Sequence, residues 1–312
     1  MIWPLPVQKL KDFAASVEKL VVVAIGGEII SADSMQVYKH MDIGSAKISK
    51  EEMSGVPHYL VDVLDPKEEF NVVAFQQMAK KAMEKIYSAG HIPIVVGGTG
   101  FYIQALLYDI DFTSEDDDRS YRKELENLAH EKGPEYMHNM LKEVDPESAE
   151  NIHANNIKRV IRALEYYHET GEKMSEHNEK ERQKDSPYNS AYFVLNDKRD
   201  LLYDRIDKRV DKMMDMGLVE EVRSLKDMGL DMSYISMQGL GYKEILSYLN
   251  GDMTLEEAVY ILKRDTRHFA KRQLTWFKRE KDVIWVDKNV FDHDENKIMD
   301  FILNNLKDKK II

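Results

Sequence analysis

The sequence predicts an α/β fold, with a parallel sheet and crossover helices, a helical insertion in mid-chain, and further helices towards the C-terminus. Three observations carry this expectation. Short apolar runs alternate with helical patterns through the first third. The stretch 112–187 is polar, charged and helical in pattern, with no good strand. Strand-like runs then return at 192–195 and 283–286.

The elements follow in order. Residues 1–24 place Val7, Leu10, Phe13, Ala14, Val17, Val21 and Ala24 at helical spacing, which favours a helix; the competing reading makes 20–23 a first strand. EIIS at 28–31 and YLVDV at 59–63 read as strands, and 71–88 as an amphipathic helix. IPIVV at 92–96 is a buried strand, followed by Gly97-Gly98-Thr99-Gly100 and another helix. YFVL at 192–195 reads as a return strand. Helices at 199–214 and 254–277, the strand VIWV at 283–286 and a terminal helix complete the chain. The expected division is a core of 1–111 plus 191–312, with 1–24 atypical, and an insertion of 112–190. In parallel sheets ligands bind beyond the carboxyl ends of strands. Asp33 and Thr99 both stand just past such ends.

Composition narrows the function classes. The 312 residues contain no cysteine, which excludes disulfides and thiolate metal sites and fits a reducing cytoplasm. No apolar run of about 18 residues marks a membrane span. No charged segment followed by an apolar one marks a secretion signal. The formal net charge is -12, awkward for a partner rich in phosphate, although local distribution decides. The stretch 263–281 holds eight Lys and Arg against Asp265 and Glu280, while acids gather at 115–118 and 143–150. A basic face on an acidic body is expected; a solvated charged helix is the other reading.

The motifs are more specific. By position alone Asp33 is an ordinary helix N-cap. Gly97-Gly98-Thr99-Gly100 lacks the full dinucleotide pattern and reads as a tight turn between strand and helix. Residues 26–47, however, read GGEIISADSMQVYKHMDIGSAK, which resembles a signature of the tRNA dimethylallyltransferases. Five further blocks stand in that family's order: GGTGFYIQALL at 97–107, NIKRVIRALE at 156–165, GLVEEVRSL at 217–225, SMQGLGYK at 236–243 and RHFAKRQLTWF at 267–277.

The resemblance implies an α/β parallel sheet of P-loop kinase-like type, with 112–190 as a helical tRNA-binding insertion. It implies transfer of a dimethylallyl group from dimethylallyl diphosphate to N6 of adenine 37 in a tRNA anticodon stem-loop, with Mg2+ as cofactor. Asp33 is then the general base for the adenine amine, a role that contributes typically 10²–10⁴-fold. Ser34, Met35 and Gln36 border the base pocket, and Thr99 lies near the flipped base. Arg223 grips the diphosphate, since guanidinium donates bidentately. Arg122, Lys158, Arg159, Arg162, Gln238, Tyr242, Lys243, Lys271 and Arg272 face the tRNA. Trp276 and Phe277 are expected in the core. A cytoplasmic monomer is expected.

One part of the family pattern has no match. A loop of the form G-P-T-A-x-G-K-[ST] stands before GGEIIS in the family, where its amides and Lys cradle the diphosphate. An overlay places it at 8–15, which here reads QKLKDFAA, and no glycine precedes Gly26. Charge-assisted hydrogen bonds contribute about 1.5–3 kcal/mol each. Losing three or four suggests on the order of 5–10 kcal/mol, roughly four to seven orders of magnitude in rate or binding. Severely impaired transfer is therefore expected. Two rivals stay open. One is an adenylate isopentenyltransferase, against which the long basic-faced insertion argues. The other is a non-catalytic tRNA-binding relic.

Overall fold

The computed structural model describes the backbone of residues 2–4 and all of 20–112 and 120–312. The overlay segment 8–15 and the acidic run 115–118 lie outside the described residues. The chain divides into two compact units, 1–107 with 188–312, and 108–187. The sequence placed those boundaries at 111 and 190.

Among the described residues the first unit has six strands: β1 (Ile2–Pro4), β2 (Gly27–Ser31), β3 (His58–Tyr59), β4 (Ile92–Gly97), β5 (Tyr192–Asn196) and β6 (Val283–Asp287). They pair in the order β3-β2-β4-β1-β5-β6, and every pair is parallel. Parallel pairing requires crossovers, and helices supply them. Between β3 and β4 runs α2 (Val72–Ser88), after the short α1 (Lys50–Met53). Asn71 starts α2 by accepting the Ala74 amide at 2.9 Å, and Phe75, Ala79, Ala82, Met83 and Ile86 form its buried face. Ile29, Ile94, Val96, Phe193, Leu195 and Val286 join Val21 and Val22 in one core cluster. The C-terminal helix adds Ile298, Ile302 and Leu306 to it. Each such burial stabilises by about 1.5–3 kcal/mol.

One alternative falls and one expectation changes. Residues 20–24 are helical, in line with the favoured reading, and the competing first strand at 20–23 is ruled out; the Ile25 amide reaches back to the Val21 carbonyl at 3.1 Å. The rest of the expected helix, 5–19, lies outside the described residues. The strand expected at 59–63 ends at Tyr59, because Leu60 and Asp62 take left-handed φ of 62° and 59°. The chain then turns to pair with the loop after β2, with Asp62 donating to the Gln36 carbonyl at 2.9 Å and Val63 to that of Val37 at 2.8 Å.

From β4 the chain enters α3 (Gly100–Leu107). After β5 come α9 (Arg199–Asp215), α10 (Leu218–Asp227), α11 (Tyr242–Asn250) and α12 (Leu255–Phe277). Thr254 and Glu257 close a reciprocal capping box at the start of α12. The chain ends in α13 (Glu295–Asp308). Among the described residues, no helix is long and apolar enough to cross a membrane.

The second unit holds α4 (Ser120–Lys132), α5 (Pro134–Val144), α6 (Pro146–Asn151), α7 (Ile157–Thr170) and α8 (Met174–Gln183). Leu125, Met137, Leu141, Val160, Ile161 and Leu164 make its core. Asp145 pins three helices from a fully buried position. It accepts from the amide and hydroxyl of Ser148 at 3.0 and 2.6 Å, and from those of Ser175 at 3.0 and 2.7 Å.

Burial alone would raise the Asp145 pKa, but the Ser148 and Ser175 donors outweigh it and hold the carboxyl below its ordinary value. Its stabilisation is complete above the unfolded value of about 3.9 and is lost as pH falls through the lowered folded value. We expect this unit's helical signal to weaken as pH drops below about 4, and Asp145→Asn to flatten that dependence while costing about 1–3 kcal/mol at neutral pH. Urea unfolding at several pH values checks both outcomes.

Candidate active site

The site begins where β2 and β4 end. Their register pairs Ser31 with Val96, so the two chains leave the sheet side by side. The Ala32 amide donates to the Val96 carbonyl at 2.7 Å, and the Thr99 amide to that of Ala32 at 3.4 Å. A Cβ on Gly97 would stand 2.3 Å from the Ala32 carbonyl carbon, so only glycine permits this approach. Gly100 is equally constrained, by the Trp276 ring. Gln273 of α12 donates to the Gly98 carbonyl at 2.7 Å and fixes the turn from the far side.

Asp33 sits in the turn after β2. Its Oδ1 accepts the Met35 and Gln36 amides at 2.8 and 3.2 Å. No helix starts there, so the carboxylate closes an Asx-type turn rather than capping a helix. Gln36 is buried, and its Nε2 donates to the Ser45 and Ala46 carbonyls at 3.4 and 3.2 Å. Lys47 is buried too, with Nζ on the Tyr38 carbonyl at 2.6 Å, Asp42 at 2.5 Å and Asp62 at 2.8 Å. Glu221 of α10 accepts three successive amides: Asp42 and Ile43 at 2.9 and 2.7 Å on Oε2, and Gly44 at 3.0 Å on Oε1.

These segments surround a cavity of about 330 Å³. Asp33, Ser34, Met35, Gln36, Thr99, Gln238, Lys243 and Arg272, all marked by the sequence, line it. Ile206, Val210, Met213, Leu262 and Phe269 form its apolar wall, and Arg209 adds a guanidinium that the sequence reading did not single out. The Arg272 guanidinium lies 5.6 Å from the Phe269 ring centroid. Among the described residues, Asp33 is the one carboxylate on the cavity wall.

Three expected residues are elsewhere. Arg223 lies on the exposed face of α10 and does not line the cavity. Tyr242 is 0% exposed, so it cannot touch an RNA. Its hydroxyl donates to Glu221 at 2.9 Å and accepts the Ser45 amide at 3.0 Å. Burial and the Glu221 carboxylate push its phenol well above the ordinary pKa, so it stays a hydroxyl. Lys271 is exposed on α12, away from the cavity lining. Phe277 is in the core as expected, whereas Trp276 is partly buried against Phe101. The basic stretch is also less free than its sequence suggests. Lys263 pairs with Asp211 at 2.5 Å, Arg267 with Asp207, and Arg264 with Asp265 at 2.8 Å.

The second unit carries the other marked cations. Lys158 and Arg159 are exposed on the first turn of α7. Arg122 and Arg162 both reach the buried Glu165, at 3.0 and 3.2 Å, and brace α4 against α7.

The sequence model of the family described as IPP transferase matches residues 36–280. The chain belongs to that family. It is 62% identical over 289 residues to a tRNA dimethylallyltransferase of Lachnoclostridium phytofermentans, covering 93% of this chain and 92% of that protein. One from Acetivibrio thermocellus is 54% identical over 281 residues, covering 90% and 88%. Among solved structures, a tRNA isopentenylpyrophosphate transferase of Bacillus halodurans superposes with a TM-score of 0.71 at 43% identity, covering 99% of this chain and 96% of that one. A eukaryotic dimethylallyltransferase seen acting on tRNA gives 0.76 at 29% identity, covering 92% and 72%. The fold is accordingly that of the IPP transferases, and the parallel α/β sheet agrees with it.

For an IPP transferase the instructive residue is Glu221. The block GLVEEVRSL drew attention to its arginine, yet its second glutamate is the one turned towards the site. Arg209 and Gln273 were likewise passed over, because neither stands out in a helical pattern. Among the described residues, no group of three or more His, Asp or Glu converges. With Asp33 as the one carboxylate at the cavity, these side chains form no cage of their own for Mg2+, and substrate phosphates would have to supply most of its ligands.

Gly44 tests the packing of the wall. Its added Cβ would stand 2.6 Å from Cζ of the fully buried Tyr242. We expect Gly44→Ala to destabilise by about 1–3 kcal/mol through overpacking, read as a lower urea midpoint at unchanged slope.

Proposed function

We propose that the chain transfers a dimethylallyl group from dimethylallyl diphosphate to N6 of adenine 37 in the anticodon stem-loop of a tRNA. The observation that carries this reading is one cavity holding Asp33 and Thr99 at adjoining strand ends, an apolar wall, and Arg209, Lys243 and Arg272. An adenine amine is a weak nucleophile because its lone pair is delocalised into the ring. Asp33, held by two backbone amides, suits removal of its proton. The new bond forms between N6 and C1 of the dimethylallyl group. The C1–O bond breaks, the diphosphate leaves with the electron pair, and the N6 proton passes to Asp33. Ile206, Val210, Met213, Leu262 and Phe269 match the prenyl chain, and the guanidinium groups match the departing diphosphate.

The target base must leave its stack to reach such a cavity. Exposed Lys158 and Arg159 on the helical unit favour a tRNA over a free nucleotide as acceptor. Residues 1–25 carry no Gly-Lys phosphate loop, which favours slow transfer by this chain. Labelled dimethylallyl diphosphate, an A36-A37 stem-loop and Mg2+ test the reading in long single-turnover incubations. We expect slow labelling of the stem-loop and not of adenosine monophosphate, and a further loss of about 10²–10⁴-fold in Asp33→Asn with tRNA affinity retained. Equal labelling in Asp33→Asn would remove the base, and preferential labelling of the mononucleotide would replace the acceptor. A rate matching the Lachnoclostridium relative would overturn the slow-transfer part.

A further inference from the structure

We propose that Glu221 is a positioning residue that sets the cavity wall at 44–46 and, through it, the placement of Asp33; this rests on the reading of the cavity as a dimethylallyl-transfer site. Successive backbone amides that converge on one point make an anion-binding nest. Here the nest at Asp42, Ile43 and Gly44 is filled by the chain's own carboxylate, at 2.9, 2.7 and 3.0 Å. Glu221 reaches it from the first turn of α10, where the helix dipole favours a negative charge. Tyr242 completes the arrangement by donating to Glu221 and accepting from the Ser45 amide.

The arrangement continues to the proposed base. Gly44, Ser45 and Ala46 all line the cavity. The Ser45 and Ala46 carbonyls hold the Gln36 side chain, and the Gln36 amide holds Oδ1 of Asp33 at 3.2 Å. An unbroken series of hydrogen bonds and short backbone links therefore runs from Glu221 to Asp33. Glu221 itself is absent from the cavity lining, so it acts through the wall rather than on the substrate.

Charge and geometry make Glu221→Gln the decisive variant. It keeps the volume but replaces one acceptor oxygen with an amide donor. That donor must then face an N–H of the nest, or the Gly44 amide and the Tyr242 hydroxyl, and no rotamer satisfies all four partners. Tyr242→Phe is the gentler second variant, since it leaves all three Glu221–amide bonds in place.

The test uses the full chain with three readouts: hydrogen exchange at 42–44, fluorescence of 2-aminopurine placed at position 37 of the stem-loop, and affinity for that stem-loop. In Glu221→Gln we expect exchange at 42–44 to quicken by about tenfold or more while β2 and β4 stay protected. Affinity should hold and the 2-aminopurine response should shrink. Tyr242→Phe should show the same changes to a smaller degree. Unchanged exchange at 42–44 overturns the clamp. A quickened 42–44 with a full fluorescence response overturns the positioning role, as does loss of protection throughout the unit, which would mark a folding role. A wild-type chain that gives no fluorescence response sinks the tRNA reading and the positioning with it, while exchange still judges the clamp separately.

Discussion

Parallel pairing of β2 with β4 is the constraint on which the rest depends. Five consecutive residue pairs, from Gly27 with Ile92 to Ser31 with Val96, fix the register. A slip of one residue would turn Ile29 and Ile94 out of the core. The same slip would separate Asp33 from Thr99, because each stands a fixed distance beyond its strand. Core burial and site geometry are thus set by one set of backbone bonds. Gly97 shows how close the two chains run as they leave the sheet, since its lack of a side chain lets Ala32 pass.

Around that seam the structure is held in place by polar side chains that bond to backbone and to one another. Gln273 fixes the turn at Gly98, Gln36 and Lys47 fold the segment after Asp33 back on itself, and Glu221 anchors its far end. Charged groups serve here because each is fully engaged. Lys47, for example, directs three hydrogen bonds to a carbonyl and two carboxylates. A buried cation with fewer partners would cost more than it returned.

Much of this was legible in the sequence, and the failures have physical causes. Period-2 and period-3.6 patterns marked β2, β4, β5, β6 and the long helices to within a residue or two. β1 could not be read, because Ile2–Pro4 is too short to show a period and is placed only by remote partners at Val95 and Tyr192. Left-handed φ at Leu60 and Asp62 left no trace in an alternating YLVDV. The block resemblance found the segments of the site but not which side of a helix faces it. Residues two apart on a helix point about 200° from each other. Glu221 faces the wall, and Arg223 therefore faces outward. Tyr242 failed for a related reason: a conspicuous aromatic beside Lys243 reads as a contact, while its ring is needed to fill the space that Gly44 vacates.

The ion pairs between α9 and α12 have a consequence for any polyanion that approaches. A cation that neutralises a phosphate expels a condensed counterion, and the gain in entropy is what makes such binding weaken with salt. Lys263 and Arg267 already hold Asp211 and Asp207. If they exchanged those carboxylates for phosphates, each would leave behind an anion that recruits a small ion of its own, and the net release would be close to nil. The ionic-strength dependence of RNA binding therefore reports far fewer contacts than a tally of Lys and Arg along this helix would suggest.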